Sequence, residues 1–290
     1  MRLGTTRWLL VGLLCLGLWP MVAASAQETR WDSIMADAAK AYQQADYAEA
    51  EKLLRAALKE AEKFGEQDPR LAISLNILAV LYHNQGKYAQ AEPLYQRALA
   101  IREKALGPEH PDVAQSLNNL AELYDEQGKY AQAEPLLRRA LAIDEKALGP
   151  EHPQVATSLN NLAELYDEQG KYAQAEPLLR RALTIWEKAL GPEHPDVATS
   201  LNNLARLYVA QGKYTEAEPL YQRALMVLTR AVGPEHPGVA TMLENYARML
   251  RVLNRHDEAE KMEARAQAIR AKHSQENPSK PPASNPSSAA

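Results

Sequence analysis

A repeat of 42 residues is the feature that most constrains what this chain can fold into. Residues 116–141 and 158–183 are identical, and four glycines recur at that interval, each opening the string GPEHP: Gly107, Gly149, Gly191 and Gly233. A second glycine series at 86, 128, 170 and 212 divides each of the four inner repeats into two segments. An active site is built from unlike pieces, whereas repetition at a fixed spacing builds a stack of units that pack on their neighbours.

Both segments of a repeat have the pattern of an amphipathic helix. In the third repeat the first segment runs from Pro111 to about Gln127, and the second runs from about Tyr130 to Leu148. Apolar residues in the first segment recur at i, i+4, i+7, i+8 and i+11, which forms one helical stripe. Proline suits a first helical turn, and Gly128 and Gly149 can end the helices. Each repeat is therefore predicted to be a helical hairpin.

Several residues of the hairpin have the spacing of a known repeat family. They are Leu120, Ala121, Tyr124, Gly128, Tyr130, Ala133, Leu137 and Ala140. This spacing resembles the tetratricopeptide repeat (TPR), although that repeat has 34 residues. The pattern LNNLA-x-LY-x-x-QGKY-x-x-AEPL-x-x-RAL is similar to the repeats of kinesin light chains and their bacterial relatives, over about residues 31–272. The resemblance implies an all-α, right-handed solenoid of about six hairpins, at 31–68, 69–110, 111–152, 153–194, 195–236 and 237–272.

The two ends of the array deviate from the repeat as caps should. The first repeat has FGEQDP where the others have LGPEHP, and the last has Asn254, His256 and Glu263 at repeat positions that are otherwise Gly, Tyr and an apolar residue. Prolines recur in the second segments of the inner repeats, at residues 93, 135, 177 and 219. Two interpretations stay open: a slight bend inside each second helix, or a helix that starts later and has proline in its first turn.

The chain ends predict export and a tail. Residues 1–26 have two arginines, a short apolar run and the small residues Ala24-Ser25-Ala26, which is typical of a secretory signal peptide cut before Gln27. An uncleaved anchor is the alternative. The solenoid would then occupy residues 27–272 of a periplasmic or secreted protein, which has no membrane contact after cleavage. Residues 273–290, rich in proline and serine, are predicted to be disordered.

The composition and the motifs argue against nucleic-acid binding, catalysis and metal binding. The net charge of −4 argues against a nucleic-acid partner, and the sole cysteine, Cys15, lies in the signal segment. No phosphate loop, zinc-protease motif or nucleophile elbow is present, so the sequence predicts no enzyme, no cofactor and no metal site. The four histidines of the GPEHP strings (110, 152, 194 and 236) lie one repeat apart, too far to share one ion. We interpret them as turn or capping residues.

The resemblance also implies a binding groove lined by the first helix of each repeat, where asparagines bond a bound peptide backbone. Such an asparagine, if exposed, lowers helix stability, so its retention suggests use. The alternative is that the asparagines bond adjacent repeats. The predicted groove residues are Asn76, Asn118, Asn119, Glu122, Asp125, Glu126, Asn160, Asn161, Glu164, Asp167, Glu168, Asn202, Asn203, Arg206, Asn245, Arg248 and Arg251.

Charges along these positions are graded. They are acidic in the third and fourth repeats and basic and partly apolar in the fifth and sixth. The second repeat is near neutral there, with Val80, His83 and Asn84. Such patterning selects and orients a partner. We therefore expect a protein-binding scaffold whose partner is a peptide or protein segment. Replacing Asn160, Asn161 and Asn203 by Ala should weaken capture without loss of stability. A structural repeat protein that assembles into a homo-oligomer is the alternative.

Overall fold

The computed structural model describes residues 26–276. In that range the chain forms twelve α-helices and no strand. The helices are α1 (Ala26–Gln43), α2 (Tyr47–Ala61), α3 (Pro69–Asn84), α4 (Tyr88–Leu106), α5 (Pro111–Glu126), α6 (Tyr130–Leu148), α7 (Pro153–Glu168), α8 (Tyr172–Leu190), α9 (Pro195–Ala210), α10 (Tyr214–Val232), α11 (Pro237–Val252) and α12 (His256–Glu276), with a 3₁₀ turn at Glu62–Phe64. The predicted all-α repeat fold is confirmed.

The helices belong to two compact units. The first contains α1–α5 and ends at Gly128, and the second contains α6–α12 and begins at Lys129. Within each unit, a first helix packs on the second helix of its hairpin, and that second helix packs on the next first helix. Hairpins of this kind hide their apolar stripes only when stacked, which is why the repeats occur in series.

Two predictions concern the chain ends. Residues 1–25, which hold nearly all of the predicted signal peptide and Cys15, lie outside the described residues, as do residues 277–290. The tail predicted from residue 273 starts too early, because α12 continues to Glu276. The helix persists there since nothing in the sequence from His273 to Glu276 breaks it.

Histidine caps the first helices, as predicted. At the start of α5 the His110 Nδ1 atom accepts a hydrogen bond of 3.2 Å from the backbone N–H of Asp112, and Pro111 occupies the first helical turn. The same bond recurs at His152, His194 and His236, with lengths of 3.1, 3.3 and 3.1 Å. Each cap satisfies one of the N–H groups that a helix start leaves without a partner.

Glycine ends the helices, also as predicted. Gly128 follows α5 with φ of +71° and Gly149 follows α6 with φ of +88°, both in the region that side chains disfavour. In the last repeat Asn254 replaces the glycine and adopts φ of +59°. Asparagine is among the few other residues that tolerate this conformation, so the turn survives the substitution.

The inner prolines lie inside their helices. The helices α4, α6, α8 and α10 begin at a tyrosine, so each proline occupies the sixth position. The interpretation in which the helix starts later is therefore wrong. Each proline is exposed, as is the residue four positions earlier whose carbonyl loses its partner, and water can satisfy that carbonyl.

A tyrosine–glutamate contact joins neighbouring repeats. In the second unit the hydroxyl of Tyr208 on α9 donates to Glu176 on α8 at 3.0 Å. Arg180 and Lys213 lie over the tyrosine ring at 5.8 and 5.4 Å from its centroid. Tyr166 and Glu134 repeat the bond at 3.0 Å, and in the first unit Tyr82 and Glu51 do so at 2.9 Å. The contact fixes the register of each first helix on the preceding second helix.

The core of the second unit is continuous across its repeats. It includes Val155 and Leu159 of α7, Trp186 of α8, Leu201 of α9 and Leu243 of α11, all buried. One position facing this core varies: Asp144 on α6, Trp186 on α8 and Leu228 on α10. Asp144 is fully buried and accepts a bond of 2.6 Å from Ser158, while its Oδ1 atom has no partner among the described residues.

Candidate functional site

Asparagines of successive first helices bond to one another. In the second unit the Nδ2 group of Asn203 donates to Oδ1 of Asn160 at 3.2 Å. Asn245 donates to Asn202 at 3.0 Å. In the first unit Asn119 donates to Asn76 at 2.9 Å. Each bond is a rung between neighbouring first helices, and we call these bonds the amide rungs.

The amide rungs change how the asparagines are interpreted. The sequence predicts that they are exposed, but Asn160 is 3% exposed and Asn202 is 8% exposed. The other predicted asparagines are also buried, except Asn161, which is half-buried. A buried amide costs free energy unless it is bonded, so bonding between repeats accounts for its retention. This is the alternative left open above. Contact with a ligand stays a prediction.

One of the predicted acidic residues of the first unit contacts a histidine. Glu126 on α5 lies 2.7 Å from the Nε2 atom of His83 on α3 and accepts a bond of 3.1 Å from Tyr88. The hydroxyl of Tyr95 is 3.4 Å from the other ring nitrogen. Burial raises the pKa of Tyr95, helped by the charges of Glu122 and Glu126. Asp125 and Glu122 are half-buried on the same helix. The cluster joins α3 to α5.

The acidic residues of the second unit lie on α7. Glu164 is half-buried and accepts a bond of 3.3 Å from Asn203. Asp167 pairs with Arg206 on α9 at 3.5 Å. Burial raises the pKa of Asp167, against the lowering effect of Arg206. Glu168 is exposed. These contacts, together with the amide rungs, place side chains of α7, α9 and α11 on one surface, which we call the first-helix face of the second unit.

The basic residues of this face have unequal partners. Arg251 on α11 makes two bonds of 2.7 and 2.6 Å to Glu263 on α12. Arg248 donates to the side chain of Asn245 and to the backbone carbonyl of Glu244, and no carboxylate of the described chain pairs with it. It is exposed. The first-helix face therefore presents a cation, Arg248, that forms no ion pair within residues 26–276.

Sequence reasoning missed Tyr221 on α10. Its side chain is 2% exposed and stacks on Tyr246 of α11, with ring centroids 5.5 Å apart. Burial raises the pKa of Tyr221 to about 12, against the lowering effects of Arg206 and Arg248. The matching residues are Tyr95 in α4 but Leu137 and Leu179 in α6 and α8, so the departure from leucine was a signal that the sequence offered.

The described residues contain no group of three or more histidine, cysteine or acidic side chains arranged to hold a metal ion. Their helices also include none with the length and hydrophobicity needed to cross a bilayer. The GPEHP histidines each use Nδ1 for the helix cap, which gives them a structural task.

Comparison with family models gives two matches. A model described as tetratricopeptide repeat matches residues 36–104, 168–227 and 207–272. A model described as nephrocystin-3 TPR domain matches residues 90–189. No curated protein is significantly similar to the chain.

Three solved structures with the same fold illustrate what the chain is similar to. BtubC (BKLC) from P. vanneervenii is 26% identical, with a TM-score of 0.64 over 90% of this chain and 97% of that one. A putative kinesin light chain with nearly identical TPR-like repeats from Podosopora anserina is 32% identical, with a TM-score of 0.58 over 71% of this chain and 98% of that one. A Rap protein complexed with competence and sporulation factor is 17% identical, with a TM-score of 0.59 over 87% and 79%, and shows the fold alone.

Proposed function

Because this chain belongs to the tetratricopeptide-repeat family, whose fold generally mediates protein–protein interaction, we propose that it is a non-enzymatic scaffold that binds a segment of a partner protein. The segment docks on the first helices of the repeats. The observation that carries this proposal is the first-helix face of the second unit. There the amide rungs hold the first helices together, and the charged side chains beside them are acidic on α7 and basic on α11.

The amide rungs support binding by making that face rigid. Bonds of 3.2 and 3.0 Å fix α7, α9 and α11 relative to one another. A surface that is already ordered loses little conformational entropy when a partner docks, and this smaller entropy loss increases the affinity. The asparagines thus act in recognition chiefly by positioning the helices that carry the charged residues.

The charges on the first-helix face set the direction in which the partner segment docks. Glu164 and Glu168 on α7 suit a basic stretch, and Arg248 on α11 suits an acidic one. Complementary charge of this kind raises association rates and disfavours wrong partners. Exposed Val252, at the end of α11, adds an apolar contact. The partner is therefore a polypeptide with separated acidic and basic stretches.

Charge reversal tests the proposal. With a partner identified by crosslinking, Glu168→Lys and Arg248→Glu should each weaken binding by about tenfold, and rising salt should weaken native binding. Lys188→Glu on the outer surface of α8 is the matched control and should leave affinity unchanged. Loss of binding with the control alone would reject the first-helix face.

We further propose that the protein is exported and cut before Gln27. Two arginines, a short apolar run and Ala24-Ser25-Ala26 support this. Mass spectrometry of the protein recovered from the exporting cell should find Gln27 as the first residue. A mature chain that still begins at Met1 would contradict cleavage.

A further inference from the structure

Four first helices begin with a cap that only a neutral histidine can form. The Nδ1 atoms of His110, His152, His194 and His236 each accept a hydrogen bond from a backbone N–H, at 3.2, 3.1, 3.3 and 3.1 Å. A ring nitrogen accepts only when it carries no proton, so the proton of the neutral ring is on Nε2. A protonated ring has an N–H at both nitrogens and cannot form the cap.

The start of α3 provides a contrast. At the repeat position of these histidines α3 has Asp68, whose carboxylate accepts a bond of 2.9 Å from the backbone N–H of Arg70. Hydrogen bonds from the Arg70 side chain lower the pKa of Asp68, against the raising effect of burial. This cap is therefore complete above about pH 4 and is lost only as the pH falls through that lowered pKa. Histidine changes its charge between about pH 5 and about pH 8, so the two kinds of cap respond to different pH ranges.

The first turns of the histidine-capped helices differ in charge. In α5 the carboxylate of Asp112 lies 3.8 Å from the Nδ1 atom of His110, and in α9 that of Asp196 lies 3.5 Å from the Nδ1 atom of His194. A protonated ring at these two starts exchanges its cap for an ion pair. In α7 the matching residue is Gln154, and the first turn of α7 contains no acidic residue. The start of α7 therefore receives no such compensation from its own helix.

Charged groups from other elements also lie near the cap of α7. The charge of its histidine acts on the buried carboxyl of Asp144 on α6, so an ionised Asp144 favours the protonated ring. Glu151, in the connector before α7, pairs with Lys188 of α8 at 2.5 Å. Arg181 of α8 donates at 3.2 Å to a backbone carbonyl of the same connector and pairs with Glu145 of α6 at 2.5 Å. Because both cations have carboxylate partners, Asp144 promotes the loss of the cap as the pH falls.

We propose that the histidine cap of α7 is a pH-sensitive contact that opens when His152 is protonated in mild acid, while the aspartate cap of α3 stays closed. The inference does not depend on what the protein binds. On protonation the ring turns away from the helix start, because its Nδ1–H and the backbone N–H of Gln154 are both donors. The positive charge also opposes the dipole of α7. The first turn of α7 loses its cap, and the second unit becomes less stable as the pH falls.

NMR of the full chain from about pH 8 to about pH 5 tests the contact at the atoms involved. At the higher pH the ring nitrogens of His152 should show a proton on Nε2 and none on Nδ1. As the pH falls, the hydrogen-exchange protection of the Gln154 N–H, corrected for the intrinsic exchange rate, should fall by about tenfold in step with protonation of the ring. The protection of the Arg70 N–H, capped by Asp68, should stay constant.

Substitution separates the cap of α7 from the other histidines. His152→Asn provides a cap that accepts across this pH range, since asparagine is among the preferred N-cap residues. Between about pH 8 and about pH 5 the unfolding equilibrium constant of this variant should rise about tenfold less than that of the native chain. His194→Asn is the matched control. It should reduce the rise by less, because the protonated ring of His194 pairs with Asp196.

Three results would overturn the proposal. A proton on Nδ1 of His152 at the higher pH would show that the ring does not accept the bond. Constant protection of the Gln154 N–H through protonation of the ring would show that the cap does not depend on the proton. The same pH dependence of unfolding in the native chain and in His152→Asn would show that the cap of α7 does not link stability to pH.

Discussion

The two surfaces of the second unit tie their repeats together in different ways. On the first-helix face the ties are buried amide rungs, such as Asn203 to Asn160. On the surface formed by the second helices the ties are exposed ion pairs, such as Lys188 to Glu151 at 2.5 Å and Arg223 to Glu187 at 2.5 Å. Neutral buried bonds are insensitive to salt, whereas exposed ion pairs contribute little each.

The two surfaces also differ in which basic side chains have an acidic partner. Arginines and lysines of the second helices are largely neutralised by glutamates of the neighbouring repeat. On the first-helix face the amides bear the structural role, which leaves Arg248 without an acidic partner in the described chain. Separation of the two roles predicts that stability and binding respond to different substitutions.

The largest effect is expected from breaking an amide rung. Asn203→Ala leaves the buried Oδ1 of Asn160 without its donor, and an unsatisfied buried group costs about 1–3 kcal/mol. Asn161→Ala, at a half-buried position, should cost less than about 0.5 kcal/mol. Urea denaturation of the two variants measures this. The contacts thus reverse the sequence-based expectation that alanine at Asn160 and Asn203 leaves stability unchanged. Equal stabilities would show that the rungs contribute nothing.

A second effect concerns the buried carboxyl between α6 and α7. Burial raises the pKa of Asp144, against the lowering effects of Ser158 and of the charge of His152. Since the folded pKa lies above the unfolded value of about 3.9, its stabilising contribution is full below that pH and is lost as pH rises through the folded pKa. Near pH 7, Asp144→Asn should therefore raise the free energy of unfolding by about 1–2 kcal/mol, so the variant should unfold at a higher urea concentration.

Measuring both chains from about pH 4 to about pH 7 isolates this group, because all other carboxylates are shared. The advantage of the asparagine variant should grow with pH. Ser158→Ala is the paired control, and it should destabilise the native chain by removing the bond of 2.6 Å. An advantage that shrinks as pH rises would contradict the assigned direction of the pKa shift.

A smaller effect is expected at the tyrosine–glutamate contact. Tyr208→Phe keeps the ring and removes the bond of 3.0 Å to Glu176, at a cost of about 1 kcal/mol. Thermal unfolding followed by circular dichroism should show a lower midpoint for this variant than for Tyr214→Phe, whose hydroxyl makes no such bond in the described chain. The same midpoint for both variants would mean that the hydrogen bond between Tyr208 and Glu176 adds nothing to the stability of the fold.

The smallest effect is expected on the outer ion pairs. Lys188→Gln removes an exposed pair and should change the free energy of unfolding by less than about 0.5 kcal/mol, since exposed pairs are screened and lose side-chain entropy. Denaturation at low and high salt measures it. A loss comparable to that of Asn203→Ala would erase the contrast between the two surfaces.

Much of the fold could be predicted because its signals are local. The prolines and glycines that bound α5 and α6 follow from backbone geometry, and the histidine caps follow from their place before a proline. The burial of Asn160 could not be predicted from the apolar stripe. The helical period shows on which face of the helix a residue lies, but not how closely the next repeat packs against that face. The variable position of Asp144 and the leucine-to-tyrosine change at Tyr221 were visible in the sequence, but only the packing shows that both are buried.

Photocrosslinking from two exposed apolar positions tests the central claim most directly. Val252, 57% exposed at the end of first helix α11, and Met226, 45% exposed on second helix α10, are each replaced by benzoylphenylalanine in the full chain. In the cell that makes the protein, the account predicts partner adducts at residue 252, abolished by Arg248→Glu, and none at residue 226. Adducts at residue 226 alone would contradict it.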